Sequence, residues 1–379
     1  MSKLGFKIKQ KIKSNIQNVY LPGLYKRYAS KCQVNEKRVI IADMHSDKIP
    51  FSMEQIYNTL VAKGYSPIVM CKDIAKMSYP QLLKFLKGFM KEYAAAGYVY
   101  ICSYFLPVSS CKKRKETKVI QLWHSGGLLK KMGYDTKDDI PRDYKGDVTA
   151  NYDLVTVSAE VCETVWEKAL RLPAGTAKAT GLARTDVYFN EEWNAGKIES
   201  FYKTFPEAKG KKVVLYAPSF SGNAAEPKCD GIKSDIKSIM KKFSDEYFFL
   251  VKLHPHLRDA YPDYEDKRLA CFSTEDILPV TSILITDYSS VLFDYSIYKK
   301  PFILFCPDYE SYKNERGFYT DIKSFPAPFA TDTNKLEEIF REKMFFDYDE
   351  EEYEEFFKKY MGACDGKCSD RIVNMVAKL

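Results

Sequence analysis

The sequence lacks the long apolar runs that identify membrane-spanning and secreted chains. Its 379 residues contain no run of about eighteen uninterrupted apolar residues, the length that a transmembrane helix requires. The first residues have no apolar core followed by a small-residue cleavage site, so we expect no secretory signal and a cytoplasmic location. With 45% hydrophobic and 29% charged residues the composition is typical of a globular protein, and the length predicts two domains.

Motifs of several enzyme classes are missing as well. There is no HExxH motif, no Walker loop and no GxGxxG fingerprint, which argues against metal-centred hydrolysis, P-loop hydrolysis and dinucleotide redox chemistry. The ten cysteines include no CxxC pair, and we interpret them as reduced residues that mostly contribute to packing. The sequence therefore predicts an enzyme without a cofactor and without a metal site.

Acidic residues are missing from the first 35 positions, which carry eight of the 58 lysines and arginines. The rest of the chain is nearly neutral, with 50 basic against 51 acidic residues, which argues against a nucleic-acid partner. The segment 1–35 therefore predicts a basic amphipathic helix on an anionic membrane surface, and docking of that helix on its own domain is the alternative. Its apolar residues recur at helical spacing: Leu4, Ile8, Ile12, Ile16 and Val19.

From about residue 37 onward, short β-branched or aromatic runs alternate with longer amphipathic stretches. This alternation is typical of βαβ units, so we predict an α/β fold with parallel sheets in two Rossmann-like, doubly wound domains. The predicted domains are residues 36–200 and residues 201–379. The first set of predicted strands lies at 37–43, 66–70, 98–102, 118–122 and 153–157, and the second at 212–217, 247–253, 282–286 and 301–305. A last helix is predicted at 369–379.

Two of the four histidines follow predicted strands. In QLWHSGG, His124 stands at a strand end, and Gly126 and Gly127 permit a tight turn with exposed backbone N–H groups. His124 could take a proton from an acceptor hydroxyl, and a histidine that only hydrogen-bonds the turn is the alternative. In VKLHPHL, His254 could donate a proton to a phosphate oxygen, and a structural histidine is again the alternative.

The segment ILITDYSSVLFDYSIYKKP predicts a phosphate site. A buried strand would run directly into Asp287, Ser289 and Ser290 and then into a helix, so that two hydroxyls and free N–H groups lie at a helix N-terminus. Simple N-capping by Asp287 or Ser289 is the alternative. Asp294, one turn further, would either cap local charge or face a ribose or polyol hydroxyl.

Three shorter segments contain further candidate residues. Arg184 and Asp186 lie in GLARTD, Ser219 follows the strand predicted at 212–217, and Arg316 lies in ERGFYTD. Arginine is the natural bidentate partner of a phosphate group, although each residue alone would ordinarily be a surface charge or a cap.

Seven segments, taken in order, resemble one family over roughly residues 37–379. They are QLWHSGGLLKKMGYD, TGLARTDVYF, VVLYAPSF, VKLHPHL, LITDYSSVLFDYSIYKKPFILF, YKNERGFYTD and DGKCSDRIVN. This order resembles the CDP-glycerol glycerophosphotransferase family of teichoic acid primases and polymerases. The resemblance implies a GT-B arrangement of two Rossmann-like domains facing a cleft, with residues 36–200 as the acceptor domain and residues 201–379 as the CDP-donor domain.

The resemblance also implies the reaction and its partners. A peripheral protein on the cytoplasmic face of the membrane would transfer glycerol phosphate, or in some members ribitol phosphate, from CDP-glycerol or CDP-ribitol to a lipid-linked saccharide or polymer. CMP would be released. A GT-B glycosyltransferase that uses a nucleotide sugar and an inactive membrane-surface binding module are the alternatives.

Residue roles follow from the matched motifs. His124 would be the general base and His254 would bind the diphosphate. The donor phosphate site is predicted to comprise Ser219, Asp287, Ser289, Ser290, Asp294 and Arg316. Structural or substrate-positioning roles are predicted for Gly126, Gly127, Arg184 and Asp186. The sequence departs from the family pattern at Ser125, Ala183, Phe220, Ser221 and His256.

Overall fold

The structure is a computed structural model that describes residues 14–137, 139–140, 146–219, 221–223, 226–229, 236–258 and 260–378. Its strands are β1 (Asn35–Asp43), β2 (Ile68–Cys71), β3 (Ala96–Ile101), β4 (Lys118–Gln121), β5 (Leu154–Thr156), β6 (Ala177–Lys178), β7 (Lys212–Ala217), β8 (Ser221–Asn223), β9 (Glu226–Lys228), β10 (Tyr247–Val251), β11 (Ile283–Thr286), β12 (Phe302–Phe305) and β13 (Phe329–Ala330).

Its α-helices are α1 (Leu21–Ala29), α2 (Phe51–Ala62), α3 (Tyr79–Tyr93), α4 (Leu106–Ser109), α5 (Glu160–Leu170), α6 (Glu191–Thr204), α7 (Ile236–Lys242), α8 (Pro255–Arg258), α9 (Thr274–Ile277), α10 (Val291–Ser296), α11 (Tyr309–Glu315), α12 (Thr333–Arg341), α13 (Glu350–Met361) and α14 (Cys368–Val376). A π-helical turn, Ile16–Tyr20, precedes α1. None of the helices in the described ranges is long and apolar enough to cross a membrane.

The chain folds into two compact units that do not follow a single boundary. The first unit takes the described residues of Met1–His124, Pro141–Asp186 and Ala363–Leu379, and the second takes those of Ser125–Ile140 and Val187–Gly362. The sequence predicted continuous domains at 36–200 and 201–379. The structure differs because residues 125–140 belong to the second unit and α14 belongs to the first.

The first unit is built on a six-stranded parallel sheet with the order β2-β1-β3-β4-β5-β6. Its central strands are apolar on both faces, as expected for a parallel sheet covered by helices on either side. Met53 and Ile56 of α2 and Ile372 and Val376 of α14 pack against sheet residues such as Ile41 in one buried cluster. The last helix of the chain thereby completes the core of the first unit.

The second unit is built on a five-stranded parallel sheet with the order β10-β7-β11-β12-β13. Ile283 and Ile285 of β11, Ile303 of β12 and Leu336 of α12 lie in its buried core, together with Tyr216 of β7. A separate hairpin pairs β8 with β9 in antiparallel register. Since parallel strands end at the same edge of a sheet, each unit collects the residues that follow its strands at one edge.

The N-terminal helix is described only from Ser14 onward, so Leu4, Ile8 and Ile12 of its predicted apolar stripe lie outside the described residues. In the described part, Gln17, Leu21 and Tyr25 are the buried residues, one turn apart. Tyr25 packs on Tyr93 of α3 with 5.1 Å between ring centroids. Val19, a member of the predicted stripe, is 67% exposed, so this side of the helix does not dock on the first unit.

Candidate active site

His124 follows β4 at the carboxyl edge of the first unit's sheet. The residue before it, Trp123, has a left-handed backbone with φ of 56°, and its N–H donates to Gln121 Oε1 at 3.0 Å. The ring of His124 stacks on the indole of Trp123 with centroids 5.0 Å apart and an interplanar angle of 17°. His124 is exposed while Trp123 is buried, so the indole holds an accessible imidazole in a fixed orientation.

A hydrogen bond also determines which nitrogen of His124 carries the proton. Nδ1 lies 3.0 Å from the carbonyl oxygen of Cys102, which follows β3. A carbonyl oxygen can only accept, so Nδ1 must donate, and in the neutral imidazole Nε2 then carries the lone pair. This tautomer gives His124 a basic nitrogen on the side away from Cys102, which is what a general base needs.

A buried carboxylate supports the same edge of the sheet. Asp43, the last residue of β1, is 2% exposed and accepts the N–H of His45 at 2.7 Å and the hydroxyl of Ser103 at 3.1 Å. The carbonyl of Ser103 accepts from Gln121 Nε2 at 2.8 Å, and Gln121 in turn fixes Trp123. Sequence reasoning missed Asp43, although its place at the end of a predicted strand was a usable signal.

Asp186 makes structural contacts within the first unit. Its carboxylate accepts the N–H groups of Cys368 and Ser369, each at 2.8 Å, and the hydroxyl of Ser369. It therefore satisfies two of the free N–H donors at the start of α14. Arg184, two residues earlier in the same 3₁₀ segment, is 5% exposed, so neither residue is a simple surface charge.

In the second unit, Ser219 and Asp287 join the ends of two neighbouring strands. The N–H of Ser219, after β7, donates to both carboxylate oxygens of Asp287, after β11, at 2.8 and 3.0 Å. Burial raises the pKa of Asp287 to about 6, against the opposing effects of these hydrogen bonds and of nearby Lys130. Asp287 thus fixes the loop after β7, and its described contact is with this loop.

Ser289 and Ser290 lie at the start of α10, as predicted. Ser290 occupies the N-cap position without a side-chain capping bond, and Ser289 Oγ accepts the N–H of Val291 at a long 3.4 Å. Asp294 is buried in the first turn, where a carboxylate is favourable to the helix dipole. Because α10 has six residues, it aligns few peptide dipoles and attracts an anion less than a long helix would.

His254 follows β10 and is exposed. Its carbonyl accepts the N–H of Leu257 at 2.8 Å, which closes the first turn of α8. The exit from β10 is held by Glu265, which pairs with the buried ammonium of Lys252 at 3.0 Å and accepts the N–H of Leu253 at 2.8 Å. Nothing is described of the His256 side chain.

Arg316 is engaged with the segment that follows His124. Its guanidinium pairs with Asp139 at 2.9 Å, and its Nε donates to the carbonyl of Lys131 at 3.2 Å. The same segment pairs with the chain after Arg316, because Lys130 forms an antiparallel bridge with Phe318. Lys130, Lys131 and Asp139 are thus attached to the second unit, although they lie only a few positions after His124 of the first.

Gly126 and Gly127 lie near the start of the segment that belongs to the second unit, and both are buried. Gly127 has φ of 66°, and a Cβ there would overlap the ring of Phe293 in α10. Glycine is therefore needed at position 127 for close approach as well as for backbone conformation. This agrees with a structural role rather than with a phosphate-binding loop.

Lys130 is a further charged residue in the second unit that sequence reasoning did not single out. It is partly buried, and desolvation of its ammonium lowers its pKa to about 8. Nearby Arg316 acts in the same direction, while Asp287 and Asp139 oppose the shift. Its place in the block QLWHSGGLLKKMGYD was the available signal.

In each unit, predicted site residues lie where strands of a parallel sheet end. The model of the family CDP-Glycerol:Poly(glycerophosphate) glycerophosphotransferase matches residues 24–378. The chain therefore belongs to this family and is a transferase, which confirms the resemblance drawn from the seven ordered motifs. Within the described residues, no group of three or more His, Cys, Asp or Glu could hold a metal ion.

Individual relatives are similar over most of the chain. A teichoic acid ribitol-phosphate primase of Bacillus spizizenii is 29% identical over 368 residues, covering 93% of this chain and 94% of the relative. A teichoic acid glycerol-phosphate primase of Bacillus subtilis is 31% identical over 290 residues, covering 73% and 72%. A structure of the wall teichoic acid polymerase TagF, soaked with CDPG, matches with a TM-score of 0.77 at 22% identity, covering 100% and 98%. The TagF match confirms the mixed α/β fold with parallel sheets.

Proposed function

We propose that this chain transfers a polyol phosphate, glycerol phosphate in the first instance, from a CDP-polyol to a hydroxyl of a lipid-linked cell-envelope polymer or its primer. Membership in the glycerophosphotransferase family supports the reaction type. The observation that carries the proposal is His124, whose Nδ1 is engaged by the Cys102 carbonyl so that Nε2 is the basic nitrogen. The two units would be the Rossmann-like halves of a GT-B enzyme, and the second would bind the donor.

The proposed reaction is a single phosphoryl transfer. His124 Nε2 takes the proton of the acceptor hydroxyl while its oxygen attacks the β-phosphorus of the donor. The bond from the β-phosphorus to the bridging oxygen breaks, and CMP leaves with that oxygen. His254 and the hydroxyls of Ser289 and Ser290 would stabilise charge on the transferred group, since catalysis of such a step depends on positioning and electrostatics.

The other predicted donor residues have supporting roles in this proposal. Asp287 accepts a hydrogen bond from the backbone N–H of Ser219, so the two residues would support the donor site by fixing the loop after β7. Arg316 would act through Asp139 and the Lys131 carbonyl by fixing residues 129–139. Asp294 lies buried in α10, where it would stabilise the start of that helix.

Ribitol phosphate is the second candidate for the transferred group. The ribitol-phosphate primase of Bacillus spizizenii covers 93% of the chain, whereas the glycerol-phosphate primase of Bacillus subtilis covers 73% of it. The decisive test incubates the protein and a lipid-linked disaccharide with CDP-glycerol, CDP-ribitol or a panel of nucleotide sugars, and measures CMP release and product length. Turnover with nucleotide sugars alone would favour a glycosyltransferase, and no turnover with any of these donors would favour the inactive binding module.

Replacing the proposed base separates chemistry from binding. We expect His124→Ala to lower the rate of CMP release by about 10²–10⁴-fold, the usual contribution of a general base. Binding of CDP-glycerol should remain measurable by calorimetry, because the proposed donor residues belong to the second unit. Normal turnover by this variant would remove the base assignment.

The proposed location is the cytoplasmic face of the membrane, as a peripheral protein. Val19 is exposed on the N-terminal helix, and Lys26, Arg27 and Lys31 near the end of that helix are exposed as well. A helix that exposes both an apolar side chain and several cations has the features that favour binding to an anionic lipid surface.

A further inference from the structure

The residues assigned so far to the donor carry little positive charge. The diphosphate of a CDP-polyol has two negative charges, but at the exit of β11 Ser289 and Ser290 are neutral and Asp287 is a carboxylate. His254 follows β10, which β7 separates from β11 in the sheet. The guanidinium of Arg316 is paired with Asp139 at 2.9 Å, and α10 is too short to supply a strong dipole. A diphosphate at this edge therefore needs a cation, since an unpaired charge in a desolvated site is costly.

We propose that Lys130 is that cation and binds the diphosphate of the CDP donor directly. The inference rests on the proposed function, because it assigns a further ligand for the same donor. Lys130 and Lys131 are both partly buried, and Lys130 is the one whose ammonium lies near Asp287 at the exit of β11.

Backbone pairing fixes Lys130 beside the exit of β11. Lys130 bridges Phe318, and on either side of it the Lys131 N–H donates to Gly317 at 3.0 Å and the Tyr319 N–H donates to Leu129 at 2.7 Å. The ring of Phe318 lies 5.3 Å from that of Tyr288, the residue between Asp287 and Ser289. Lys130 therefore lies on a paired backbone segment next to the strand exit that carries the predicted phosphate residues, and its ammonium lies near Asp287.

The charges around Lys130 favour an incoming anion. Its ammonium is desolvated, with a pKa of about 8, and it lies near one cation, Arg316, and two carboxylates, Asp287 and Asp139. Asp139 is occupied by Arg316, and Asp287 by the N–H of Ser219. A bound diphosphate would add negative charge next to the protonated lysine and raise its pKa, so donor binding and protonation of Lys130 would support each other.

A purely structural role is the competing explanation. In that case Lys130 only balances the buried charge of Asp287, and its replacement would change stability but not donor affinity. Donor binding and its pH dependence separate the two explanations, because the diphosphate diester itself does not titrate between pH 7 and pH 9.

The test measures the Kd of CDP-glycerol by calorimetry at pH 7 and pH 9 for the full chain and three variants. For the wild type we expect Kd to rise by up to about tenfold over this range as Lys130 loses its proton. Lys130→Met should raise Kd about 10–100-fold at pH 7, the usual loss for a charged hydrogen bond, and remove most of the pH dependence. Lys130→Arg should bind with little pH dependence, because a guanidinium stays charged.

Lys131→Met is the matched control, since it removes the neighbouring positive charge while the backbone pairing of residue 131 with Gly317 is kept. It should leave Kd within about twofold. Lys300 also has a pKa lowered to about 8, but it donates to the carbonyls of Pro279 and Thr281, so its titration should persist equally in every variant.

The outcomes are distinguishable. A wild type that neither binds nor turns over any CDP-polyol removes the proposed function together with this inference. A wild type that binds, alongside a Lys130→Met variant with unchanged Kd, removes the inference alone. If Lys130→Met does not fold, Lys130→Arg decides: the wild-type pH dependence in that variant would overturn the assignment, and its loss would support it.

Discussion

At the scale of single residues, Gly127 and Gly210 both have left-handed backbones but differ in their surroundings. A methyl group at Gly127 would overlap the ring of Phe293, whereas nothing lies within 4 Å of one at Gly210. We expect Gly127→Ala to destabilise the protein by about 2–5 kcal/mol, from backbone strain and overpacking together. Gly210→Ala should cost about 1–2 kcal/mol from strain alone. Urea denaturation of both variants measures the difference, and equal losses would contradict the role given to Phe293.

The sequence predicted the positions of candidate residues correctly where one strand end was enough to define them. His124, His254 and the residues from Asp287 to Ser290 follow predicted strands and lie at strand ends in the structure. Lys130 was missed because its environment is made by Asp287 and Arg316, which are distant along the chain. Arg316 was predicted as a phosphate ligand, but its pairing with Asp139 depends on a tertiary contact that no local pattern reveals. The roles of all these residues stay predictions.

At the scale of elements, the attachment of α14 depends on Asp186. Its carboxylate accepts two backbone N–H groups at the start of that helix, so we expect Asp186→Ala to destabilise the protein by about 1–3 kcal/mol. Amide exchange in α14 should become faster. Asp370 is another acidic residue of the same helix; its side chain is 64% exposed and pairs with Lys63. Asp370→Ala should lower the free energy of unfolding by less than about 1 kcal/mol. A comparable effect of the two changes would argue against the capping role.

The predicted strands of the sequence are all present, within two residues at most ends. Two-residue strands, β6 and β13, were missed because they are too short to show a period, and the hairpin of β8 and β9 was missed because its residues are polar. The last helix begins at Cys368 rather than at Ser369. Its N-terminal donors are satisfied by Asp186 from elsewhere in the chain, so local capping signals could not define its start.

At the scale of the whole molecule, membrane association should depend on Val19. This side chain is 67% exposed, so Val19→Asp should leave the free energy of unfolding nearly unchanged. It should lower binding to phosphatidylglycerol vesicles by about tenfold, because a charge replaces an apolar contact in the interface. Val161→Asp, which changes another exposed valine of the first unit, should have no effect on binding. Co-sedimentation measures both, and binding should weaken with added salt. Equal binding by both variants would remove the membrane role of this helix.

The division of the chain into units could be predicted only in part. Periodicity correctly gave two groups of parallel strands, since each strand carries its own local signal. It could not show that residues 125–140 belong to the second unit, because that assignment depends on pairing with Gly317 and Tyr319. The return of α14 to the first unit has the same kind of cause.

The four passages of the chain between the units have a consequence for recombination among related enzymes. A hybrid gene with a single junction after Asp186 would take Asp139 and Arg316 from different parents, and would also separate Asp186 from the helix it caps. If the second unit binds the donor as proposed, an exchange of donor preference would have to move Ser125–Ile140 together with Val187–Gly362. Crossover at one point should therefore yield mostly hybrid proteins that are unstable or inactive. The two segments of the second unit should be exchanged together.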